Sequence, residues 1–291
     1  MPYQAKNLIA AIDMGSSSFR MIVARVDTTH EQPQIFVIDS LREPVRLGAG
    51  LDDKKKLDQD SQDRALACLS RFSERLRPFK PEQVRAVATN AVRVARNGAD
   101  FIKKAELALG FDIDVISGAE EARLVYCGVA HQLPIGDGQR LVVDIGGGST
   151  EFIIGEDYDP IAMESLYVGC VSFGEQYFKD GAVSAKAFKN AVLAARREIV
   201  ILRRQLVELG WTHVVGSSGT SRALAEICEA NGWSDHGITK NGLDHLRDEL
   251  IKAKKISDLK LAGIKEDRRQ NIPGGLAVMM AVFEELGLSD M

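Results

Sequence analysis

The sequence predicts an α/β protein of two lobes, each a mixed sheet flanked by helices, with a cleft between them. Two glycine- and serine-rich turns, each set between apolar runs, share one grammar: Asp13 matches Asp144, Gly15 matches Gly146 and Ser18 matches Ser149. The offset is constant, since 144 − 13 and 146 − 15 both give 131, which marks two copies of one supersecondary unit. The order of apolar and amphipathic segments after each turn also repeats. At 291 residues the chain is long enough for two domains, each burying its own core.

In the second turn, Leu141-Val-Val-Asp144 is an apolar run ending in a carboxylate, Gly146, Gly147 and Gly148 follow, and Phe152 begins another apolar run. Three successive glycines cost more chain entropy than a hairpin needs, so they imply φ > 0 or a close approach to the backbone. Exposed N–H groups beside the hydroxyls of Ser149 and Thr150 form a concave donor array suited to phosphate oxygens, and Asp144 and Glu151 are placed to hold a cation next to it. An ordinary glycine-rich hairpin would explain one such turn; the second copy at Ile9-Ala-Ala-Ile-Asp13-Met-Gly15-Ser16-Ser17-Ser18 argues for a shared function.

Along the first lobe, alternating apolar residues predict strands at 8–12, 19–26 and 35–45, with a turn at 31–34. Asp58 reads as the N-cap of a helix to 77 with Ala65, Leu69, Phe72 and Leu76 on one face, stopped by Pro78 and Pro81. A short strand at 84–88 leads into a brief helix ended by Asn97-Gly98. Asp100 caps another helix to 109, and a strand follows at 112–116. A helix at 120–130 joins the lobes, giving expected domains 1–125 and 126–291.

The second lobe repeats the order, with strands at 141–144, 151–155, 161–168 and 211–215. Its long helix at 184–209 carries Phe188, Val192, Ala195, Ile199, Leu202, Leu206 and Leu209 on one face. Arg196, Arg197, Arg203 and Arg204 fall off that stripe and read as a solvated face. Helices near 221–230, 239–253 and 275–286 complete the pattern.

The formal net charge is −4 with no long block of one sign, which gives no support to nucleic-acid or membrane binding. Cys68, Cys127, Cys170 and Cys228 are scattered without metal-ligand spacing and read as buried free thiols, and the five histidines show no metal or triad spacing. Neither a leader pattern at 1–7 nor a run of membrane-spanning length is present, so a soluble, cytoplasmic protein is expected.

The motifs A-I-D-M-G-S-S-S-F-R, I-S-G-A-E-E-A-R-L, D-I-G-G-G-S-T-E, V-G-C-V-S-F and G-S-S-G-T occur in that order between Ala11 and Thr220. Together they resemble the phosphate-binding loops of the actin/hexokinase-like ATPase superfamily, within it those of the exopolyphosphatase and guanosine pentaphosphate phosphohydrolase (Ppx/GppA) family, and nearest its exopolyphosphatase branch. The resemblance implies ribonuclease-H-like lobes and Mg²⁺, or another divalent cation, held by Asp13, Asp144 and Glu151. It implies phosphate ligands at Gly15, Ser16, Ser17, Ser18, Arg93, Gly146, Gly147, Gly148, Ser149, Thr150, Gly216, Ser217, Ser218, Gly219 and Thr220. Glu121 corresponds to the family's catalytic glutamate, a general base that takes a proton from water. Without the resemblance, Ser117 and Glu120 form a capping box and Glu121 is a first-turn acid favoured by the helix dipole. Arg93, by itself a solvated helix arginine, has in the family pattern the planar guanidinium that pairs with oxyanions. Arg268 and Arg269 carry no assignment.

The resemblance therefore implies hydrolysis of the terminal phosphate of inorganic polyphosphate. The rival substrate is guanosine pentaphosphate, and a sugar-kinase-like ATPase or a non-catalytic polyphosphate- or nucleotide-binding fragment ranks lower. Ser17 stands where the family's first turn usually has Asn, which removes one substrate hydrogen bond from the expected set. The chain also resembles an N-terminal two-lobe portion of a longer protein, which the family pattern expects to form a homodimer.

Overall fold

A computed structural model describes residues 7–29, 34–136 and 138–291. The expected turn at 31–34 lies, apart from Gln34, outside them, as do residues 1–6. The chain divides into two compact units, Met1–Ser117 and Gly118–Met291.

The first unit is built on a five-stranded sheet of order β3-β2-β1-β4-β5. Strands β1 (Leu8–Met14), β2 (Phe19–Asp27) and β3 (Gln34–Glu43) form an antiparallel meander, and β4 (Val84–Ala88) and β5 (Ile113–Val115) run parallel to β1. Period-two alternation in β1 buries Ala10, Ile12 and Met14. Helix α1 (Gln59–Leu76) starts where the Asp58 carboxylate accepts the Ser61 N–H at 2.7 Å, and the Ser61 hydroxyl first, then this N–H, hold the carboxyl below the usual range. Its Ala65, Leu69, Phe72 and Leu76 join Phe101, Ala105 and Leu109 of α3 (Gly98–Leu109) in one core.

Between β4 and α3 lies the short α2 (Asn90–Val94), which stops at Ala95, before Asn97-Gly98. That pair opens α3 two residues ahead of Asp100, correcting the expected helix end. The Asn97 side chain is committed across the unit, accepting the Leu57 N–H at 2.9 Å and donating to the Leu57 carbonyl at 3.0 Å. Gly98 is required by crowding, since a Cβ there would lie 2.5 Å from the Val92 carbonyl oxygen.

The second unit repeats the meander-plus-parallel plan in four strands of order β8-β7-β6-β9: β6 (Arg140–Ile145), β7 (Thr150–Glu156), β8 (Asp159–Leu166) and β9 (His213–Gly216). Helix α4 (Gly118–Ala130) packs Ala122, Tyr126 and Ala130 on Val142 and Ile153 of this sheet. The whole helix therefore belongs to the second unit, and the division falls at Ser117/Gly118 where the sequence suggested 125/126. Gly155 admits this packing, because a Cβ would sit 2.3 Å from the Tyr126 ring.

The remaining helices are α5 (Cys170–Tyr177), α6 (Ala185–Leu209), α7 (Gly219–Ala230), α8 (Lys240–Ala253) and α9 (Ile272–Leu286). α9 is apolar almost all round and buried, as a central helix must be. It begins at Ile272 with Pro in its first turn, earlier than the expected 275, because Gly274 and Gly275 let it close on α5 and Thr220. The α6 stripe is buried from Phe188 to Leu206, whereas Leu209 is exposed. The four off-stripe arginines are exposed or half-exposed, as a solvated face requires, and two of them also reach α9: Arg196 pairs with Glu284 and Glu285, and Arg203 donates to the Glu285 carbonyl. Cys127 is exposed, contrary to expectation, while Cys68, Cys170 and Cys228 are buried thiols. No helix among the described residues is long and apolar enough to cross a membrane.

Candidate functional site

In the second unit, β6 and β7 pair Asp144 with Glu151 and Ile145 with Thr150 across the glycine turn, which closes where the Gly146 N–H donates to the Ser149 carbonyl at 2.9 Å. None of Gly146, Gly147 and Gly148 has positive φ, so close approach and not a left-handed backbone explains the run. What approaches is the start of α5. The Gly146 carbonyl accepts the Cys170 N–H, and the Gly147 carbonyl accepts those of Val171 and Ser172, at 2.9, 2.9 and 3.1 Å. Gly169 packs so closely that a Cβ would lie 2.4 Å from the Gly147 oxygen. The turn thus spends its carbonyls on the orphan donors of a helix end, while the N–H groups of Gly147 and Gly148 find no backbone acceptor among the described residues.

The first unit's turn follows the same rule. Its Ser16 and Ser17 carbonyls accept the N–H groups of Gly48 and Arg46, each at 2.8 Å. A Cβ on Gly15 would meet the Ser18 oxygen at 3.1 Å, and one on Gly146 would meet the Ser149 oxygen at 3.1 Å, so the two turns share a geometry as well as a sequence. Asp13 sits at the end of β1 opposite Arg20. Arg93, on α2, donates from its guanidinium to the Ile116 carbonyl at 2.8 Å.

The third loop, Gly216 to Thr220, runs from β9 into α7. Here several hydroxyls expected to meet phosphate have protein partners. Ser217 donates to the Asp144 carboxylate, Ser218 caps α7 through the Ser221 N–H, and Thr220 donates to the Ile145 carbonyl. Thr150 donates to the Val168 carbonyl, and the Ser16 hydroxyl accepts the Ala91 N–H. Backbone N–H groups are the donors these loops leave for an anion.

The acids converge on the second turn. Glu151 is 1% exposed, and its carboxyl is pushed up to about 8 by burial first, then by the charges of Glu121 and Asp144, against hydrogen bonds from Ser149 and Ser165. Asp144 is also raised, by burial, with the Ser217 hydroxyl opposing. Glu121 enters from the first turn of α4, whereas its neighbour Glu120 is taken by Arg123 in a paired interaction at 2.8 Å. Among the described residues no three acid, histidine or cysteine side chains are arranged to hold a metal ion unaided. The donor set nevertheless fits Mg²⁺, which is commonly held by one or two carboxylates plus phosphate oxygens.

Two contributors escape sequence reading. Ser165 donates to Glu151 at 2.8 Å from the facing position on β8, which only the strand register reveals. Arg268 lays its guanidinium over Gly219, where a Cβ would be 2.0 Å away, bringing a cation to the start of α7. The glycine of the third loop was the available signal.

A profile of the Ppx/GppA phosphatase family matches residues 22–291. The chain belongs to this family. A Vibrio cholerae relative, named guanosine-5'-triphosphate,3'-diphosphate pyrophosphatase, is 44% identical over 284 residues, which is 98% of this chain and 56% of the relative. A Haemophilus influenzae relative named "Putative exopolyphosphatase" is 40% identical over 97% of this chain and 86% of its own length. This Ppx/GppA chain thus spans about half the length of the Vibrio relative. Among solved structures, the Aquifex aeolicus Ppx/GppA enzyme matches with a TM-score of 0.74 at 25% identity, covering 97% of this chain and 94% of that one. An exopolyphosphatase from Cytophaga hutchinsonii matches with a TM-score of 0.82 at 25% identity, covering 97% and 92%. The fold is that of these Ppx/GppA and exopolyphosphatase structures, with two sheets each flanked by helices.

Proposed function

We propose that this Ppx/GppA chain carries a hydrolytic site that removes the terminal phosphate from a linear phosphoanhydride. The observation that carries the proposal is the meeting of Glu121, Asp144 and Glu151 at a glycine turn whose N–H groups are left to an anion. Phosphoryl transfer asks mainly for positioning and charge neutralisation, and backbone donors at Gly147 and Gly148 supply both for the transferred phosphate. Asp144 and Glu151 would hold a divalent cation, and Asp13 is the corresponding acid of the first unit's turn. Bound Mg²⁺ supplies neutralisation of the phosphate oxygens and of the buried acids. Glu121 takes the proton of the attacking water, and within the same unit Arg268 offers a guanidinium donor to oxyanions.

Guanosine pentaphosphate is the substrate favoured by the names of relatives 41–44% identical to this chain. Inorganic polyphosphate, the substrate that the motif resemblance ranks first, is supported by the Haemophilus relative, of which the chain spans 86%. Phosphate release from each compound, with Mg²⁺ and with chelator, tests both readings. Release from neither would overturn the proposal.

A further inference from the structure

Asn90 is the one side chain among the described residues whose buried polar atom lacks a hydrogen-bond partner: its amide nitrogen is enclosed and unpaired. The residue is 5% exposed and opens α2 directly after β4. Its neighbours on both sides bond to the first unit's glycine-serine turn. The Thr89 N–H donates to the Met14 carbonyl at 3.4 Å, and the Ala91 N–H donates to the Ser16 hydroxyl at 3.1 Å. Asn90 is thereby pinned beside a turn proposed to hold phosphate.

An unsatisfied buried donor carries the full desolvation cost of the group, and natural proteins keep few of them. The fold gains no hydrogen bond from this amide nitrogen. A donor kept at such a cost is explained by an acceptor that arrives from outside. Resting on the functional reading above, we propose that the Asn90 side-chain amide is a phosphate ligand of the first turn, donating to a phosphoanhydride oxyanion bound at that turn.

The proposal separates stability from binding. Removing an unpaired donor should not destabilise the free protein, whereas removing a ligand should weaken the complex. Asn90→Ala and the isosteric Asn90→Asp, which replaces the donor by an acceptor of like charge to the ligand, are compared with wild type by thermal melting and by calorimetric titration of tripolyphosphate in Mg²⁺. The expected result is a melting temperature of the Ala variant equal to or above wild type, with the dissociation constant raised at least tenfold in Ala and further in Asp. Unchanged affinity in both variants overturns the proposal, as does weakened binding accompanied by a lowered melting temperature in both, which would assign the amide to the fold. If wild type does not bind tripolyphosphate, the functional reading fails and the proposal with it; if wild type binds and Arg93→Ala weakens it while the Asn90 variants do not, only the proposal fails.

Discussion

Glu151→Gln separates the electrostatic account of the site from a merely structural one. The buried carboxyl of Glu151 is pushed from an ordinary 4.5 to about 8. A group whose folded value is raised stabilises the fold below its unfolded value, and that stability is lost as pH climbs through the folded one. Each tenfold change in proton affinity is about 1.4 kcal/mol, so a chelator-treated wild type should lose roughly 4–5 kcal/mol between pH 5 and pH 9 if the whole effect falls on this group. In a unit of this size that is a fall in melting temperature of roughly 10–20 °C. The Gln side chain keeps the shape and cannot ionise, so this pH-dependent loss should vanish in the variant. Scanning calorimetry in chelator at half-unit pH steps reads the difference. Saturating Mg²⁺ should restore wild-type stability at pH 8 and leave the variant nearly unmoved. Parallel stability curves for the two proteins would refute the reasoning.

Asp144→Ala should raise the Mg²⁺ concentration for half-maximal phosphate release by about tenfold or more, since one of the carboxylates proposed to hold the cation is gone; an unchanged metal titration would place the ion elsewhere. Gly169→Ala should destabilise the protein by about 1–3 kcal/mol, the usual cost of forcing a methyl into packed space, because its Cβ would strike the Gly147 oxygen at 2.4 Å. Denaturant unfolding checks this, and a midpoint equal to wild type would contradict it. Arg268→Ala should raise KM several-fold with little change in kcat, as expected for a cation that binds ground state and transition state alike; steady-state kinetics showing the reverse split would move Arg268 into the chemical step.

Much of this arrangement is legible in the sequence because it is local. The constant offset of 131 between the turns announces two related units, and both sheets show the same strand order from the meander outward. The Asp58 cap lies where short-range hydrogen bonding puts it. What fails is non-local. Asn97-Gly98 looks like a helix end, yet Asn97 is held by Leu57 and Gly98 by the crowding of Val92. The links of Arg196 and Arg203 to α9 do not show in the sequence because their acceptors, Glu284 and Glu285, are far along the chain. Glycine in a helix normally counts against helix, which hides the start of α9, where Gly274 and Gly275 serve close packing. In the site, residue types were readable, but the hydroxyls of Ser217, Ser218 and Thr220 turned to protein partners that only the fold supplies.

The most direct test of the account is single-turnover phosphate release by Glu121→Gln from guanosine pentaphosphate and from polyphosphate, with substrate affinity measured in parallel. The account predicts affinity within about threefold of wild type and a rate lower by roughly two to four orders of magnitude, the scale for losing a positioned general base. A rate within about threefold of wild type on the substrate the wild type cleaves would contradict it and return Glu121 to the role of a helix-terminus acid.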